Sequence, residues 1–509
     1  NFTGMPNLEY LDLHGCSNLE EVHYSLGCCS KLIQLDLSCC ESLKKFPCVN
    51  VESLEYLSLD ICSRLEKFPE IHGRMKPGIQ IDMIHSGLRE LPSSIFQYQT
   101  HITELDLSFM ENLVALPSSI CRLKSLVSLS VLGCSKLESL PEEIGDLDNL
   151  EELDACNTLI SRLPSTIVRL HKLKVLKLAG CFRYNRVHFE FLLAEGLRSL
   201  EHLNLSLCNL TDGELPEDIG FLSSLKELKL SGNNFEHLPQ SIAQLGALRS
   251  LDLSYCERLT QLPEFPPELN KLHVDYLMAL KFIHDLVTKR KKLQRVIFTP
   301  LYDKDDADND AIYNLFAHAL FQKVSSLRHD ISASDSLSES VFTIVHPYNK
   351  IPNWFLQQGR DRSVSVNLPE NWYIPDKFLG FAVCYGGSLI DTTAQLIPVC
   401  DDGMSCMTQK LVLSECDTES SYDSESSDDS ESSDHSEWYT PIHFLLVPLA
   451  GLWDTSKANG KTPNDYGIIR LSFSGEEKVY GLRLLYKEEA EVEDLSQMTE
   501  NNNEPTEHS

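Results

Sequence analysis

No stretch of the 509-residue sequence holds the run of about 18 apolar residues that a bilayer-spanning helix needs. The opening residues Asn1-Phe2-Thr3-Gly4-Met5-Pro6 lack the basic start and apolar core of a secretory signal. Base is scarce as well: 44 Lys and Arg face 75 Asp and Glu, a net charge of −31. That balance argues against nucleic acid as a general partner, because phosphate recognition wants a basic field. Catalytic signatures are missing too, with no nucleophile elbow, no H-E-x-x-H and no Walker pattern. The nearest approach to a phosphate loop, Gly460-Lys461-Thr462, has Thr455 where its first glycine must stand. The run Asp306-Ala307-Asp308-Asn309-Asp310 imitates a calcium loop, but Ala311 and Ala317 replace its glycine and closing glutamate. Seventeen cysteines include no C-x-x-C pair, only the adjacent pairs Cys28-Cys29 and Cys39-Cys40, so zinc is not expected. The expectation is therefore a protein without enzyme activity, cofactor or metal, and without nucleic acid or membrane as partner.

What is present is a repeat. Leu8-Glu9-Tyr10-Leu11-Asp12-Leu13-His14-Gly15-Cys16-Ser17-Asn18-Leu19 has the form L-x-x-L-x-L-x-x-C-x-x-L, and the frame returns at Leu32, Leu54, Leu126 and Leu248. Such a unit is a leucine-rich repeat, whose inward leucines bury only against neighbouring units. Its central residues are Leu11, Leu35, Leu57, Ile81, Leu105, Leu129, Leu153, Leu176, Leu203, Leu228, Leu251 and Leu272, about twelve rungs. The alternation around each predicts a short strand, leucines in and their neighbours out, stacked as a parallel sheet on the concave face of a solenoid. Proline follows in most rungs, as in Leu116-Pro117-Ser118-Ser119-Ile120, and predicts the first turn of a short helix capped by hydroxyl or acidic side chains. Seven cysteines (Cys16, Cys40, Cys62, Cys134, Cys181, Cys208 and Cys256) share the position that Asn233 takes in another rung. A single-file ladder offers no disulfide scheme, so they read as reduced core thiols of a cytoplasmic or nuclear protein. The sequons at Asn1, Asn204 and Asn209 do not reverse this, since Asn204 falls in a strand.

The domain reading is repeats over 1–276 with an insertion near 183–197, a helical connector over 277–340, and a β-sandwich over 341–487. Within the connector, Lys289-Arg290-Lys291-Lys292 resembles an import signal or a basic helix face, and 311–328 carries an amphipathic pattern. Runs such as Ser363-Val364-Ser365-Val366-Asn367-Leu368 and Phe378 to Tyr385 predict antiparallel strands. Residues 415–437 hold ten acids and no Lys or Arg, a composition that favours a solvated, disordered insertion over about 416–437, as it does for the tail 488–509. The absent initiator methionine and abrupt entry into a repeat suggest a piece of a longer chain.

With these residues in view, the chain resembles the C-terminal part of plant TIR-NB-LRR disease-resistance proteins. Lys350-Ile351-Pro352-Asn353-Trp354-Phe355, then Val364 to Trp372 and Phe378 to Cys384, are similar to the jelly-roll and Ig-like domain that follows the repeats in that family. The resemblance implies recognition of a pathogen effector, a resting contact with a nucleotide-binding domain outside these residues, and oligomerisation through those other domains. In the family the TIR domain cleaves NAD; nothing in these residues carries that chemistry. Candidate contact residues are the outward side chains Tyr10, Asp12, Asp36, Tyr56, Asp82, Asp106, Asp154, Lys177, His202, Lys229 and Asp252, acidic early and more basic later. An alternative is a stand-alone repeat scaffold or decoy that binds endogenous proteins.

Overall fold

The computed structural model describes residues 1–180 and 196–275, then 295–299, 341–346, 351–386, 392–399, 406–411, 440–472 and 478–486, each apart from single positions and short loops. The insertion near 183–197, the basic run 289–292, the helix expected at 311–328, the acidic stretch 416–437 and the tail 488–509 lie wholly or almost wholly outside the described residues. Two compact units result, 1–269 and 270–509.

In the first unit every expected rung carries a strand centred on its expected residue, from Tyr10–Asp12 around Leu11 to Ser250–Asp252 around Leu251. Neighbouring strands pair parallel with the central residues opposite one another, as in Leu11 with Leu35 and Leu228 with Leu251. From the second rung on, the leucines on both sides of the turn are buried, while Leu11, Leu13 and Leu19 of the first are half-buried; this packing supplies the favourable burial that a three-residue strand could not find alone. The pairing runs through rungs one to four and again through rungs five to eleven.

A left-handed residue ends every strand. Four positions after the central residue, φ lies between +55° and +71° at Gly15, Cys39, Ile61, His85, Phe109, Gly133, Asn157, Gly180, Leu207, Gly232 and Tyr255. The amide there donates to the next rung, as Ile61 N does to Ile84 O at 2.8 Å and Gly180 N to Ser206 O at 2.9 Å, so the ladder continues past the strand. The reversal also swings the following residue inward. There the cysteine thiols donate to the previous rung: Cys40 to Leu13 O, Cys62 to Leu37 O and Cys134 to Leu107 O, each at 3.2 Å. No disulfide joins the described cysteines, and Cys16 in the first rung is exposed.

The proline-led turns differ from expectation. They are five-residue 3-10 turns such as Ser118–Arg122 and Glu142–Asp146, with the proline just before the first turn and no side-chain cap. A rung of some two dozen residues leaves room for one tight turn, and the proline's own carbonyl serves it: Pro117 O accepts from Ile120 N at 3.0 Å.

The second unit opens with parallel strands Lys271–Asp275, Arg295–Thr299 and Val341–His346. The helical reading of 277–340 is thus corrected at 295–299, where Val296-Ile297-Phe298 favour an extended chain and pair in register on both sides. Val341–His346 then pairs antiparallel with Thr440–Val447, followed in order by Phe378–Gly386, Lys478–Tyr486 and Gln357–Asp361. A second antiparallel sheet has the order Ser363–Asn367, Tyr466–Ser472, Thr392–Pro398 and Met407–Leu411. Trp372 fills the core with Phe378 and Phe381 against it, and its indole N–H donates to Tyr466 O at 2.9 Å. Trp354, expected in the core, is half-buried and stacked on Phe355 at 4.0 Å.

Candidate recognition surface on the repeat sheet

The strands place two outward side chains per rung, one on each side of the central residue. In the first six rungs these are Tyr10 and Asp12, Gln34 and Asp36, Tyr56 and Ser58, Gln80 and Asp82, Glu104 and Asp106, and Ser128 and Ser130. Five are acids and none is lysine or arginine. Rungs seven to ten carry Glu152 and Asp154, Val175 and Lys177, His202 and Asn204, and Glu227 and Lys229.

All eleven candidate residues fall on these strands, but they are not equally open. Tyr10 is 62% exposed and Asp12 is exposed; Asp36, Tyr56, Asp82, Asp106, Lys177, His202, Lys229 and Asp252 are half-buried. Asp154 is 8% exposed, so it is not the open contact residue expected. Lys177 explains this, with its Nζ 3.1 Å from Asp154 and 3.4 Å from Glu152. Burial works against that ammonium, yet Asp154 and Glu152 hold it protonated well above the ordinary lysine range. Glu227 lies 3.0 Å from His202 Nδ1 and 3.9 Å from Lys229 Nζ, and Lys–Glu pairs flank the strands in both blocks, Lys174 with Glu151 at 2.7 Å and Lys226 with Glu201 at 2.6 Å as well as Lys76 with Glu55 at 2.7 Å.

The early acids have a local duty that the sequence reading missed. Asp12 accepts from His14 N, Asp36 from Ser38 N and Asp106 from Ser108 N, each at 2.9 Å, and Asp252 from Ser254 N at 3.0 Å. One carboxylate oxygen thus closes the turn after the strand, in the manner of an Asx turn, while the acid column stays together. The signal was in the sequence: Asp-Leu-Ser recurs at 36–38, 106–108 and 252–254. The mutual repulsion is visible at Asp60, whose carboxyl is raised by burial first and then by Asp82, Asp106 and Asp36, partly offset by the Ile84 amide. Tyr56, raised chiefly by burial, sits against the same group.

The surface offers no catalytic arrangement. Ser38 Oγ donates to Asp36 at 2.5 Å and lies 2.7 Å from His14 Nδ1, so the carboxylate holds the serine rather than the histidine and cannot orient a base. Among the described residues no group of three or more His, Cys, Asp and Glu could hold a metal ion, and no helix is long and apolar enough to cross a membrane.

Residues 346–491 match the C-JID domain, 50–140 the leucine-rich repeats described as disease resistance protein RPS4B-like, and 171–347 a leucine-rich repeat region. TMV resistance protein N of Nicotiana glutinosa is 73% identical over 511 residues, covering 100% of this chain and 43% of that protein. Disease resistance-like protein DSC1 of Arabidopsis thaliana is 34% identical over 74% of this chain and 31% of its own length. Disease resistance protein RPS4, also of Arabidopsis thaliana, is 27% identical over 55% of this chain and 20% of its own. The chain spans under half the length of these relatives. The matched domains are leucine-rich-repeat and C-JID domains.

Proposed function

Since the chain belongs to the leucine-rich-repeat and C-JID region of plant disease-resistance proteins, we propose that it recognises a pathogen effector protein inside the plant cell. One observation carries the reading. The concave positions of rungs one to six gather five acids without a base, whereas the acids of rungs seven to ten are paired within the protein. Charges that a fold needs for itself are matched internally; an unmatched set of one sign suits a partner of the other sign. The effector therefore presents a basic patch to Asp36, Asp82 and Asp106.

In the resting state the repeats contact the nucleotide-binding domain of such receptors, and an effector that prefers the released arrangement shifts the population toward it. Binding alone does the work; no chemical step belongs to these residues. The relative's name speaks of TMV resistance, and this chain inherits that specificity in the proposal. The test exchanges residues 1–491 of this chain for the matching region of TMV resistance protein N and scores virus-triggered cell death in tobacco leaves. A retained response is expected, weakened by Asp36→Lys with Asp82→Lys and Asp106→Lys. A dead exchange that accumulates normally overturns effector recognition, and a triple variant with full response overturns the acid face as its seat.

A further inference from the structure

The left-handed turn column is where the chain departs from the simplest solution. Gly15, Gly133, Gly180 and Gly232 take this conformation without strain, and Asn157 tolerates it. Leu207 and Tyr255 stand there singly in rungs nine and eleven, but rungs two to five place four such residues in succession, Cys39, Ile61, His85 and Phe109, one of them β-branched. Nothing inside the rung calls for them, since the turn amide bonds forward alike in glycine and non-glycine rungs. Their side chains form a surface. Ile61 is 40% exposed, His85 is exposed, and the His85 ring lies flat on Phe109, with centroids 4.4 Å apart and planes at 4°. Phe109 lies over the next turn, where a Cβ on Gly133 would stand 2.6 Å from its Cδ1, so the stripe has a floor that only glycine leaves open.

This apolar stripe borders the acids. Asp60 immediately precedes Ile61 and accepts from Ile84 N at 2.8 Å, and Asp82 sits on the strand that leads into His85. Asp82 accepts from the neutral Gln80 amide, at 3.1 and 3.2 Å, and an apolar edge beside carboxylates held by amides rather than by a cation suits one side chain best, a guanidinium, whose planar face stacks on aromatic rings while its edge donates to carboxylates. We propose that Ile61, His85 and Phe109 dock a partner's protein segment of alternating arginine and apolar residues, its apolar side chains on the stripe and its arginines between the rings and Asp60 and Asp82. The proposal rests on the effector-recognition reading and gives that partner a sequence character.

The experiment uses the full chain and a fluorescein-labelled decapeptide of alternating arginine and leucine, with arginine–serine and lysine–leucine peptides beside it. Fluorescence anisotropy should show saturable binding of the arginine–leucine peptide, at least tenfold weaker binding of the arginine–serine peptide, and several-fold weaker binding of the lysine–leucine peptide. Ile61→Asn with His85→Asn, substitutions that suit a left-handed turn, should keep cooperative unfolding and lose at least tenfold in affinity. Leu207→Asn, in the same turn column but beside the paired rungs, should bind as the unaltered chain does. Should the double variant fold poorly, Ile61→Gly alone serves, with at least a threefold loss expected. Absence of binding, equal binding of the arginine–serine peptide, or unchanged affinity in the stripe variants overturns the proposal. The leaf assay separates the two ideas: a retained response with no peptide docking removes the stripe and leaves effector recognition standing, whereas the converse leaves a docking stripe without that role.

Discussion

Asn233 is the residue at which the ladder can be tested most sharply. It is buried, and its amide makes four close bonds to the backbone, with a longer contact from Nδ2 to Ser231 O at 3.4 Å: Nδ2 donates to Leu205 O at 2.9 Å and Leu230 O at 2.8 Å, and Oδ1 accepts from Leu210 N at 3.0 Å and Cys208 N at 3.2 Å. Asn233→Ala removes all four bonds in a site where water has little access. At roughly 1 kcal/mol net for each bond the loss is about 4 kcal/mol, and local relaxation brings it nearer 3 kcal/mol. Asn233→Cys restores the ladder's own device, since a thiol there can donate to Leu205 O as Cys256 does to Leu230 O at 3.3 Å. It cannot satisfy both amides as well, so the loss should be about 2 kcal/mol. Because each rung touches only its neighbours, the damage is local, and a global unfolding midpoint would dilute it. All four tryptophans also lie in the second unit, so their fluorescence would not report it. Amide hydrogen exchange resolved to the ninth and tenth rungs is the right assay. About 3 kcal/mol corresponds to exchange roughly a hundredfold faster in the alanine variant, with the cysteine variant between it and the parent. Exchange within fivefold of the parent in Asn233→Ala, or equal acceleration in both variants, would refute the clamp.

Two further outcomes follow from titration. Burial above all pushes the Cys62 and Cys134 thiols up to about 12, so at pH 8 iodoacetamide should label exposed Cys28 and spare both until the chain is unfolded, with peptide mass spectrometry as the readout; native-state labelling of Cys134 at the rate of Cys28 would contradict this. Asp212 is held below the ordinary carboxylate value of 3.8 although burial alone would raise it, because the His237 and Glu236 amides and the His237 ring bond to it. A depressed carboxyl contributes stability that is present above its unfolded value and lost as the pH falls through its folded one. Urea midpoints should therefore drop below about pH 4 in the parent, and drop less in Asp212→Asn.

The repeat half was legible because its signal is periodic: each central leucine recurs after 21 to 27 residues and is the residue that must be buried. The second unit was legible where apolar and polar residues alternate, as in Ser363–Asn367. Strand Gln357–Asp361 escaped because it is a polar edge strand, its sequence Gln-Gln-Gly-Arg-Asp carrying no alternation. Arg295–Thr299 escaped because the basic run before it suggested a helix face, while its own β-branched residues favour a strand. At the surface, the outward direction of Asp12, Asp36 and Asp106 was readable from period two. Their turn-closing bonds were hinted at only by the recurring Asp-Leu-Ser, because each bonded amide directly precedes a left-handed residue, Gly15, Cys39 or Phe109, that is not glycine in every rung. The glycines of that column were in plain view, and aligning Gly15, Gly133, Gly180 and Gly232 with Ile61, His85 and Phe109 would have marked the latter as out of place.

The two surface features have a common logic. A solenoid rung leaves few positions free: the leucines, the inward cysteine or asparagine and the turn isoleucine are all committed to packing. Substitution is cheap at the strand neighbours, but a bulky residue at the left-handed turn costs on the order of 1 kcal/mol against glycine. Rungs two to five carry both kinds of disadvantage, mutually repelling acids and four consecutive non-glycine turns, while rungs seven to ten pair Glu152 and Asp154 with Lys177 and alternate Gly180 and Gly232 with Asn157 and Leu207. Stability alone would favour the second solution throughout the array. Retaining the first over one contiguous block is what a site optimised for an outside partner looks like, because local stability is surrendered where function needs an unmatched surface. If effector recognition is seated here, the block, rather than any single aspartate in it, is the unit whose replacement should abolish it.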